Sequence, residues 1–152
     1  MKNKFGFILV KPQLGENIGA SARSLKNFGF SELNIVSPKH AWPNNKAKST
    51  SVGAYNIIKK AKIFNNTKDA ISNYDVVISL SARKRDINKK HISINQFLKM
   101  IRNKNNTKFG FMFGPEASGL ANLDLSLSNY VLQIPTSKKF KSLNLSHSLT
   151  VI

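Results

Sequence analysis

Three short segments hold the polar residues whose types and spacing could do chemistry in this chain. They read LGENIGASAR at 14–23, FGPEASGL at 113–120 and IPTSKKFKSLNLS at 134–146. Each follows a short apolar run and combines glycine, proline or amide residues with charged side chains. Glycine lets a ligand approach the backbone closely, and the free amides that open a helix suit polar or anionic groups. The three segments therefore predict a ligand site where loops meet at one edge of a sheet.

The first segment places an arginine on the polar side of a predicted helix. Gly15 and Gly19 follow an apolar run, but their spacing is G-x-x-x-G rather than the G-x-G-x-x-G of dinucleotide folds. No acidic residue ends the second apolar run to hold a ribose, so a nicotinamide cofactor is disfavoured. Arg23 points away from the apolar stripe of the helix. It is either a solvated surface charge or, with Asn17 upstream, part of a site.

The second segment delivers a carboxylate into a glycine-flanked loop. Glu116 is one of seven acidic residues in a chain with 24 basic ones. Gly114 and Gly119 allow close backbone approach, and Pro115 stiffens the turn. Two roles for Glu116 stay open from the residues alone. It accepts hydrogen bonds from loop amides, or it holds an arginine in place across a site.

The third segment is a basic loop that leads into the last predicted helix. Pro135 ends a strand, lysines crowd the loop, and Ser142 and Asn144 open the helix that follows. Helix-opening amides beside lysines suit an anionic ligand group. The alternative is an ordinary capped helix behind a solvated basic loop.

Other chemistries find less support in the residue types. The three histidines show no ligand spacing, which argues against a metal site. The absence of cysteine excludes thiol nucleophiles and disulfides, and it fits a cytoplasmic location. No apolar run approaches the roughly 20 residues needed to cross a bilayer, so we expect no membrane segment.

Net charge is the strongest signal in the composition. The formal charge is +17 over 152 residues, which favours a polyanion partner because each phosphate contact releases counterions. The chain is also rich in Lys, Asn and Ile together, a bias that compositional drift produces without selection. Arginine, the better phosphate ligand, accounts for four of the 24 basic residues.

Short apolar runs alternate with helix-length stretches, which predicts an α/β fold with a largely parallel sheet. The predicted strands are Phe5–Val10, Leu33–Val36, Val76–Leu80, Phe109–Phe113 and Tyr130–Ile134. The predicted helices are Asn17–Phe28, Val52–Lys60, Lys68–Asn73, Ile94–Arg102 and Leu120–Ser126. Pro38–Thr50 and Ser81–Ile92 read as polar loops. Asn17 is expected to cap the first helix and Gly29 to end it, and a last helix is expected after a Ser142 cap.

Taken together, GENIGASARSLKNFGF, FGPEASGL and IPTSKKFKSLNLS resemble the three ordered motifs of the SpoU/TrmH branch of the SPOUT RNA methyltransferases. The resemblance runs from about Phe5 to the end of the chain. VGAYNIIKKAKIF at 52–64 and ISLSARKRD at 78–86 add similarity to the TrmJ type, which methylates ribose 2′-hydroxyls in the tRNA anticodon loop. The resemblance implies one methyltransferase domain over 1–152, without the C-terminal extension that TrmJ-type chains commonly carry.

The resemblance also implies a fold and a cofactor. The α/β sheet would be flanked by helices, the C-terminal segment would form a deep trefoil knot, and the protein would be a homodimer with sites near the subunit interface. S-adenosylmethionine would be cradled in the knot. The residues implied to bind it are Leu80, Ser81, Ala82, Gly114, Gly119, Ile134, Lys141, Ser142 and Leu143.

The implied reaction is methyl transfer to a tRNA ribose, at cytidine or uridine 32 of the anticodon loop. Arg23 would favour the oxyanion character of the hydroxyl, Asn17 would position it, and Glu116 would orient Arg23 or the helix-end amides. The implied RNA path includes Asn144, Arg83, Lys84, Arg85, Lys138 and Lys139, together with Lys89–Lys90. Another tRNA or rRNA target, or a non-catalytic RNA-binding factor with the same fold, stays open as an alternative.

Overall fold

Seven strands, all paired in parallel, form the central sheet in the computed structural model, which describes residues 4–82 and 88–152. The strands are β1 (Phe5–Val10), β2 (Leu33–Val36), β3 (Lys62–Phe64), β4 (Val76–Ser81), β5 (Lys90–Ile92), β6 (Phe109–Phe113) and β7 (Tyr130–Gln133). Their order across the sheet is β3-β2-β1-β6-β4-β7-β5. The predicted fold class, a largely parallel α/β sheet with flanking helices, is confirmed. The knot stays a prediction.

The five predicted strands form, with ends that move by one residue at most. They are buried on both faces, which is why they read as continuous apolar runs rather than as alternating patterns. Two short strands were missed. β3 and β5 have three residues each and carry lysine, and they lie at the two edges of the sheet. Short edge strands with lysine lack the apolar run that marks a strand in sequence.

Helices cover both faces of the sheet. They are α1 (Gly15–Asn27), α2 (Asn45–Thr50), α3 (Tyr55–Lys60), α4 (Thr67–Ile71), α5 (Ile94–Asn103), α6 (Asn122–Ser126) and α7 (Leu145–Val151), and a single 3-10 turn covers Val52–Ala54. Side chains of β1 alternate between the two layers. Phe7 and Leu9 face the larger core with α1 and α7, whereas Ile8 and Val10 face the smaller core beside α4 and α6.

The predicted ends of the helices needed correction at two caps. Asn17 is not the cap of α1, because the helix begins two residues earlier and its N-cap is Leu14. Ser142 does not cap α7, since the Asn144 side chain accepts from the Ser146 amide instead. Gly29 follows the end of α1 with a φ of 76°, as predicted for a helix stop.

The predicted polar loop Pro38–Thr50 contains α2, which the sequence did not indicate. Asn44 caps this helix by accepting from the Lys46 and Ala47 amides. One side chain of the helix, Ala47, is buried. A single buried alanine gives no amphipathic period, so the pattern resembles a loop.

A buried tyrosine joins the amino-terminal ends of the strands, at the edge opposite the three motif loops. The Tyr74 hydroxyl donates to Glu32 Oε1 at 2.6 Å and accepts from Asn34 Nδ2 at 2.8 Å. A Cβ on Gly6 or Gly110 would overlap the tyrosine, at 2.0 Å and 2.8 Å from its atoms. Burial and the bond to Glu32 raise the pKa of the Tyr74 phenol well above its ordinary value.

We expect Tyr74→Phe to lower the free energy of unfolding by about 1–3 kcal/mol, because the buried Asn34 amide loses its acceptor. The raised pKa adds a pH dependence. Above about pH 10 the unfolded chain loses a proton that folded Tyr74 keeps, so this part of the stability falls as pH rises. Urea unfolding at pH 7.5 and pH 10.5 measures both effects.

Exposed Tyr55 supplies the control for this experiment. Tyr55→Phe should leave the unfolding midpoint unchanged at pH 7.5. Equal stability of Tyr74→Phe and the parent protein at both pH values would contradict the role of the Tyr74 hydroxyl.

Candidate functional site

A cleft of about 430 Å³ opens at the carboxyl edge of the sheet, over the ends of β4, β6 and β7. This is the edge where open α/β sheets bind ligands, and the volume lies in the range of small-molecule sites. All nine residues that the resemblance assigned to the cofactor line this cleft. Side chains not anticipated from the sequence also line it, among them Thr136, Leu145 and Ser148.

The loop after β6 forms one wall of the cleft and depends on two glycines. A Cβ on Gly114 would lie 2.2 Å from the Leu120 nitrogen, so any side chain there would push the wall apart. Gly119 has a φ of 69°, which glycine adopts without strain. Its amide donates to the Pro115 carbonyl at 2.8 Å and closes the turn. The loop is thus folded back tightly on itself beside the cleft.

Apolar and charged groups divide the lining of the cleft. Leu80 and Ile134 are buried at its floor, where β4 and β7 end. Lys138, Lys139 and Lys141 lie exposed along the loop after β7. An apolar floor with a cationic rim suits a ligand that has both a flat apolar part and an anionic group.

Glu116 binds the start of α1 with both oxygens of its carboxylate. Oε2 accepts from the Gln13 amide at 2.7 Å, and Oε1 accepts from the Leu14 amide at 3.1 Å and from Asn17 Nδ2 at 2.9 Å. No side chain near the start of α1 caps the helix itself. The carboxylate therefore satisfies amides at the helix end from a loop about a hundred residues away. The prediction that Glu116 contacts helix-end amides is confirmed.

A relay of amides extends this contact to the third motif loop. Asn17 is buried and also accepts, through Oδ1, from Asn144 Nδ2 at 2.9 Å. Asn144 Oδ1 in turn accepts from the amide of Ser146 at 2.9 Å and from its hydroxyl at 2.7 Å. We call Glu116, Asn17 and Asn144 the motif relay. It binds the three predicted segments to one another.

Gln13 belongs to the same contact and was missed in the sequence. Its side-chain oxygen accepts from the Ala117 amide at 2.8 Å, while its own amide donates to Glu116. A glutamine in a polar loop carries no pattern that identifies such a pairing.

Arg23 lies outside the cleft within one chain. Its side chain is exposed, and in the described ranges no hydrogen bond or ion pair joins it to Glu116. Arg23 follows Asn17 by six helical residues, so the two project about 120° apart around α1. Within one chain, Glu116 thus contacts the helix-end amides and not Arg23, and the catalytic role of Arg23 stays a prediction. The prediction that Arg23 points away from the apolar stripe is confirmed.

The residues predicted for the RNA path have different outcomes. Lys138 and Lys139 line the cleft, and Asn144 belongs to the motif relay. Lys89 Nζ donates to the Ser128 carbonyl at 2.7 Å, and Lys90 lies exposed in β5. Arg83, Lys84 and Arg85 lie outside the described residues.

Two kinds of feature are absent from the described ranges. Between residues 4–82 and 88–152, no group of three or more His, Cys, Asp or Glu side chains is arranged to hold a metal ion. Within the same ranges, no helix has the length and apolar character that a membrane crossing requires.

The parallel sheet, the cleft that the loops after β4, β6 and β7 form at its carboxyl edge, and the relay that joins the three motif segments define an α/β domain of the SPOUT methyltransferase class. The chain belongs to the SpoU rRNA methylase family, whose model matches residues 4–152.

Curated relatives include two archaeal enzymes described as tRNA (cytidine-2′-O-)-methyltransferase TrmJ. The one from Methanocaldococcus jannaschii is 40% identical over 149 residues, which cover 95% of this chain and 64% of the relative. The one from Sulfolobus acidocaldarius is 34% identical over 148 residues, which cover 95% and 61%. This chain thus spans somewhat less than two thirds of the length of these relatives.

A solved structure agrees with the fold over nearly the whole chain. TrmJ from Zymomonas mobilis ("Z. mobilis ZM4") superposes with a TM-score of 0.90 at 34% sequence identity, over 96% of this chain and 65% of that one.

We predict that Glu116→Gln lowers the free energy of unfolding by about 1–3 kcal/mol, because a glutamine amide would face a backbone donor that the carboxylate accepts from. Asn17→Ala should be similarly costly. Because the two side chains share a hydrogen bond, the double variant should lose about 0.5–3 kcal/mol less than the sum of the single losses. Urea unfolding of the four proteins measures this coupling, and additive losses would show that the relay does not act as a unit.

Proposed function

We propose that this chain is the catalytic domain of an S-adenosylmethionine-dependent tRNA 2′-O-ribose methyltransferase. The observation that carries the proposal is the cleft at the carboxyl edge of the sheet, which gathers all nine residues assigned to the cofactor. Two further observations support it. The chain belongs to the SpoU methylase family, and relatives at 34–40% identity are described as tRNA 2′-O-methyltransferases.

The residues of the cleft fit the cofactor. Leu80, Ile134 and Leu145 offer apolar surface for a flat adenine ring. Gly114 and Gly119 let the loop after β6 fold back on itself at the wall of the cleft, because a Cβ on Gly114 would lie 2.2 Å from the Leu120 nitrogen and Gly119 adopts a φ of 69°; a ligand there would face loop backbone. Lys138 and Lys141 on the rim suit a carboxylate. Bound there, S-adenosylmethionine supplies an electrophilic methyl group on a sulfonium.

The residues of the chain would have to activate a ribose hydroxyl, which is a weak nucleophile at neutral pH. A guanidinium stays protonated, so Arg23 would act as a fixed cation that favours the oxyanion character of the hydroxyl. It would also pair with the neighbouring phosphate. The proton of the hydroxyl leaves to solvent as the oxygen takes the methyl group. Glu116 and Asn17 would act as positioning residues, because they fix α1 against the cleft.

The position of Arg23 supports a homodimer as the active form. One chain holds the cleft, but Arg23 points away from it, so a second copy would have to supply the arginine. An apolar groove between the ends of α1 and α7 offers a surface for that copy. Phe28 is 60% exposed there and Val151 is 54% exposed. Exposed aromatic and aliphatic residues of this kind are typical of subunit contacts.

The finer assignment is cytidine or uridine 32 of the anticodon loop, with a knotted cofactor site and a cytoplasmic location, as the resemblance implies. A non-catalytic RNA-binding factor with the same fold is the second candidate. The high positive charge favours an RNA-binding factor as much as it favours an enzyme, since both would have to bind RNA. Calorimetry separates them, because such a factor need not bind S-adenosylmethionine.

Incubation of the chain with isotopically methyl-labelled S-adenosylmethionine and unmodified tRNA transcript tests the enzyme directly. We expect label in tRNA and a gap at one nucleotide in an alkaline hydrolysis ladder, because a 2′-O-methyl group blocks backbone cleavage there. An rRNA incubated in parallel should stay unlabelled. Label in rRNA alone would move the substrate, and no label with no cofactor binding would overturn the proposal.

Arg23→Ala should reduce the rate of methyl transfer by at least a hundredfold, by analogy with the loss of one oxyanion-stabilising group. Its dissociation constant for S-adenosylmethionine should change by less than twofold, because Arg23 does not line the cleft. Single-turnover kinetics and calorimetry measure the two. If Arg23→Ala loses cofactor binding while the transfer step is unaffected, the role proposed for Arg23 is wrong.

Mixed dimers test whether a second copy supplies the arginine. Ala82→Trp should block the cleft and leave Arg23 in place. Arg23→Ala should leave the cleft open and remove the guanidinium. If each inactive variant completes the other, mixing them should restore up to about a quarter of the parent rate per chain. Continued inactivity of the mixture, despite exchange of subunits, would place Arg23 and the cleft of one chain in the same site.

A further inference from the structure

A short turn, residues 51–55, lies along α1, with Val52, Gly53 and Tyr55 exposed and Ser51 and Ala54 buried, and we call it the α2–α3 shoulder. A Cβ on Gly19 would lie 2.4 Å from the Ala47 carbonyl oxygen and 2.8 Å from the Ser51 nitrogen, so the backbone that leads into the shoulder lies close against the helix there. Two helical turns further on, Lys26 Nζ donates to the Gly53 carbonyl. Arg23 lies between these two contacts and is rotated about 40° from Gly19 toward solvent. The shoulder therefore forms one side of the surface that presents Arg23.

The backbone of the shoulder is strained at a side chain that packs against little. Val52 has a φ of 50°, a left-handed conformation that β-branched residues rarely adopt. Its side chain is 63% exposed, and the space around the neighbouring Gly53 is open. Folding gains little from an exposed valine in this conformation, and such strain concentrates at functional sites.

An exposed aromatic ring and lysines flank Val52. Tyr55 is 40% exposed, and Lys48 Nζ lies 5.1 Å above the centre of its ring. Lys59 lies one turn beyond Tyr55 on the exposed side of α3. The stretch 33–68 contains seven lysines and no acidic residue. Protein–protein contacts are depleted of lysine, whereas single-stranded nucleic acid binds where aromatic rings alternate with cations.

We propose that the α2–α3 shoulder binds the unpaired RNA that flanks the ribose presented to Arg23, with a base stacked on Tyr55. Lys48 would leave the ring face for a phosphate when the base arrives, and Val52 would pack against the adjoining sugar or base. Stacking on an aromatic ring is tolerant of base identity and requires an unpaired strand. The shoulder would therefore select loops over duplexes. The proposal rests on the proposed function for its substrate.

Two variants remove the proposed contacts without damage to the fold. Tyr55→Ala removes the ring, whereas Tyr55→Phe keeps it as a matched comparison. Val52→Gly removes an apolar side chain and relieves the positive φ, so this variant should melt no lower than the parent protein. Leu123→Ala is the control for loss of an exposed apolar side chain, since Leu123 is 76% exposed on α6.

The experiment measures binding of a fluorescent unmodified tRNA transcript by anisotropy, the KM for tRNA in the methylation assay, and cofactor affinity by calorimetry. Tyr55→Ala should raise the Kd and the KM for tRNA about tenfold, and Val52→Gly about threefold. Tyr55→Phe, Leu123→Ala and cofactor affinity should stay within twofold of the parent. Lys48→Gln should lower the salt slope of tRNA binding by about one.

Several outcomes would overturn the proposal. Unchanged tRNA affinity in both Tyr55→Ala and Val52→Gly would remove the shoulder from RNA binding. An equal loss for a blunt 20-base-pair RNA duplex would show that the contact does not require unpaired RNA. A fall in self-association by sedimentation, without a change in tRNA affinity per dimer, would make the shoulder a subunit contact. Parent protein that binds tRNA but transfers no methyl group would fail the proposed function alone, because the binding comparison still decides the role of the shoulder.

Discussion

The carboxylate of Glu116 is the constraint on which the arrangement of the cleft depends. Its two oxygens accept three hydrogen bonds from the start of α1, across about a hundred residues of chain. Hydrogen bonds to an ionised acceptor are stronger than neutral ones, and the backbone donors cannot rotate away. Fixing loops in one conformation costs about 1–2 kcal/mol per residue of backbone entropy. The carboxylate contact offsets part of that cost where the walls of the cleft meet.

The same contact sets the orientation of α1, which has two different sides. Asn17 faces inward and passes the contact on to Asn144 at the start of α7. Arg23 faces outward, because six helical residues rotate it about 120° away. Gly19 lets α2 approach the helix closely between them. A shift of the start of α1 would therefore move both Arg23 and the adjoining shoulder. The motif relay thus affects the position of residues that it does not contact.

The sequence predicted the centre of the sheet well and its edges and caps poorly. Runs such as Phe109–Phe113 are buried on both faces and look like strands in any window, whereas Lys62–Phe64 gains its strand conformation from its neighbour β2. The caps failed for a physical reason. Asn17 lies at a position typical of a cap, but Glu116 takes the helix-end amides from outside, which frees Asn17 for the relay. The local sequence around Asn17 does not indicate a hydrogen-bond partner about a hundred residues away.

The site itself was predicted as a set of residues rather than as an arrangement. Motif resemblance named nine of the residues that line the cleft, but it could not show that the side chain of Arg23 lies outside it. Position on a helix gave the direction of Arg23 correctly, because 100° per residue is a property of the backbone. Which group Arg23 contacts depends on the surface that lies next to it. No local sequence pattern predicts that surface.

The structure shows what the acidic residues do, which the net charge alone does not. Each acidic side chain between residues 4–82 and 88–152 accepts a hydrogen bond or joins an ion pair; these are Glu16, Glu32, Asp69, Asp75, Glu116 and Asp124. Acids are therefore present where the fold uses them. Most lysines have no such structural use, and among the seven of 33–68 only Lys46 forms an ion pair in the described ranges, with Glu16 on α1 at 3.1 Å. A polyanion that bound there would be repelled by each unpaired acid, so a lysine-rich stretch whose acidic neighbour is itself paired favours such a partner. The acids of the fold are thus explained by their contacts, whereas no ion pair within the described ranges explains the exposed lysines at the rim of the cleft or most of those in the stretch 33–68.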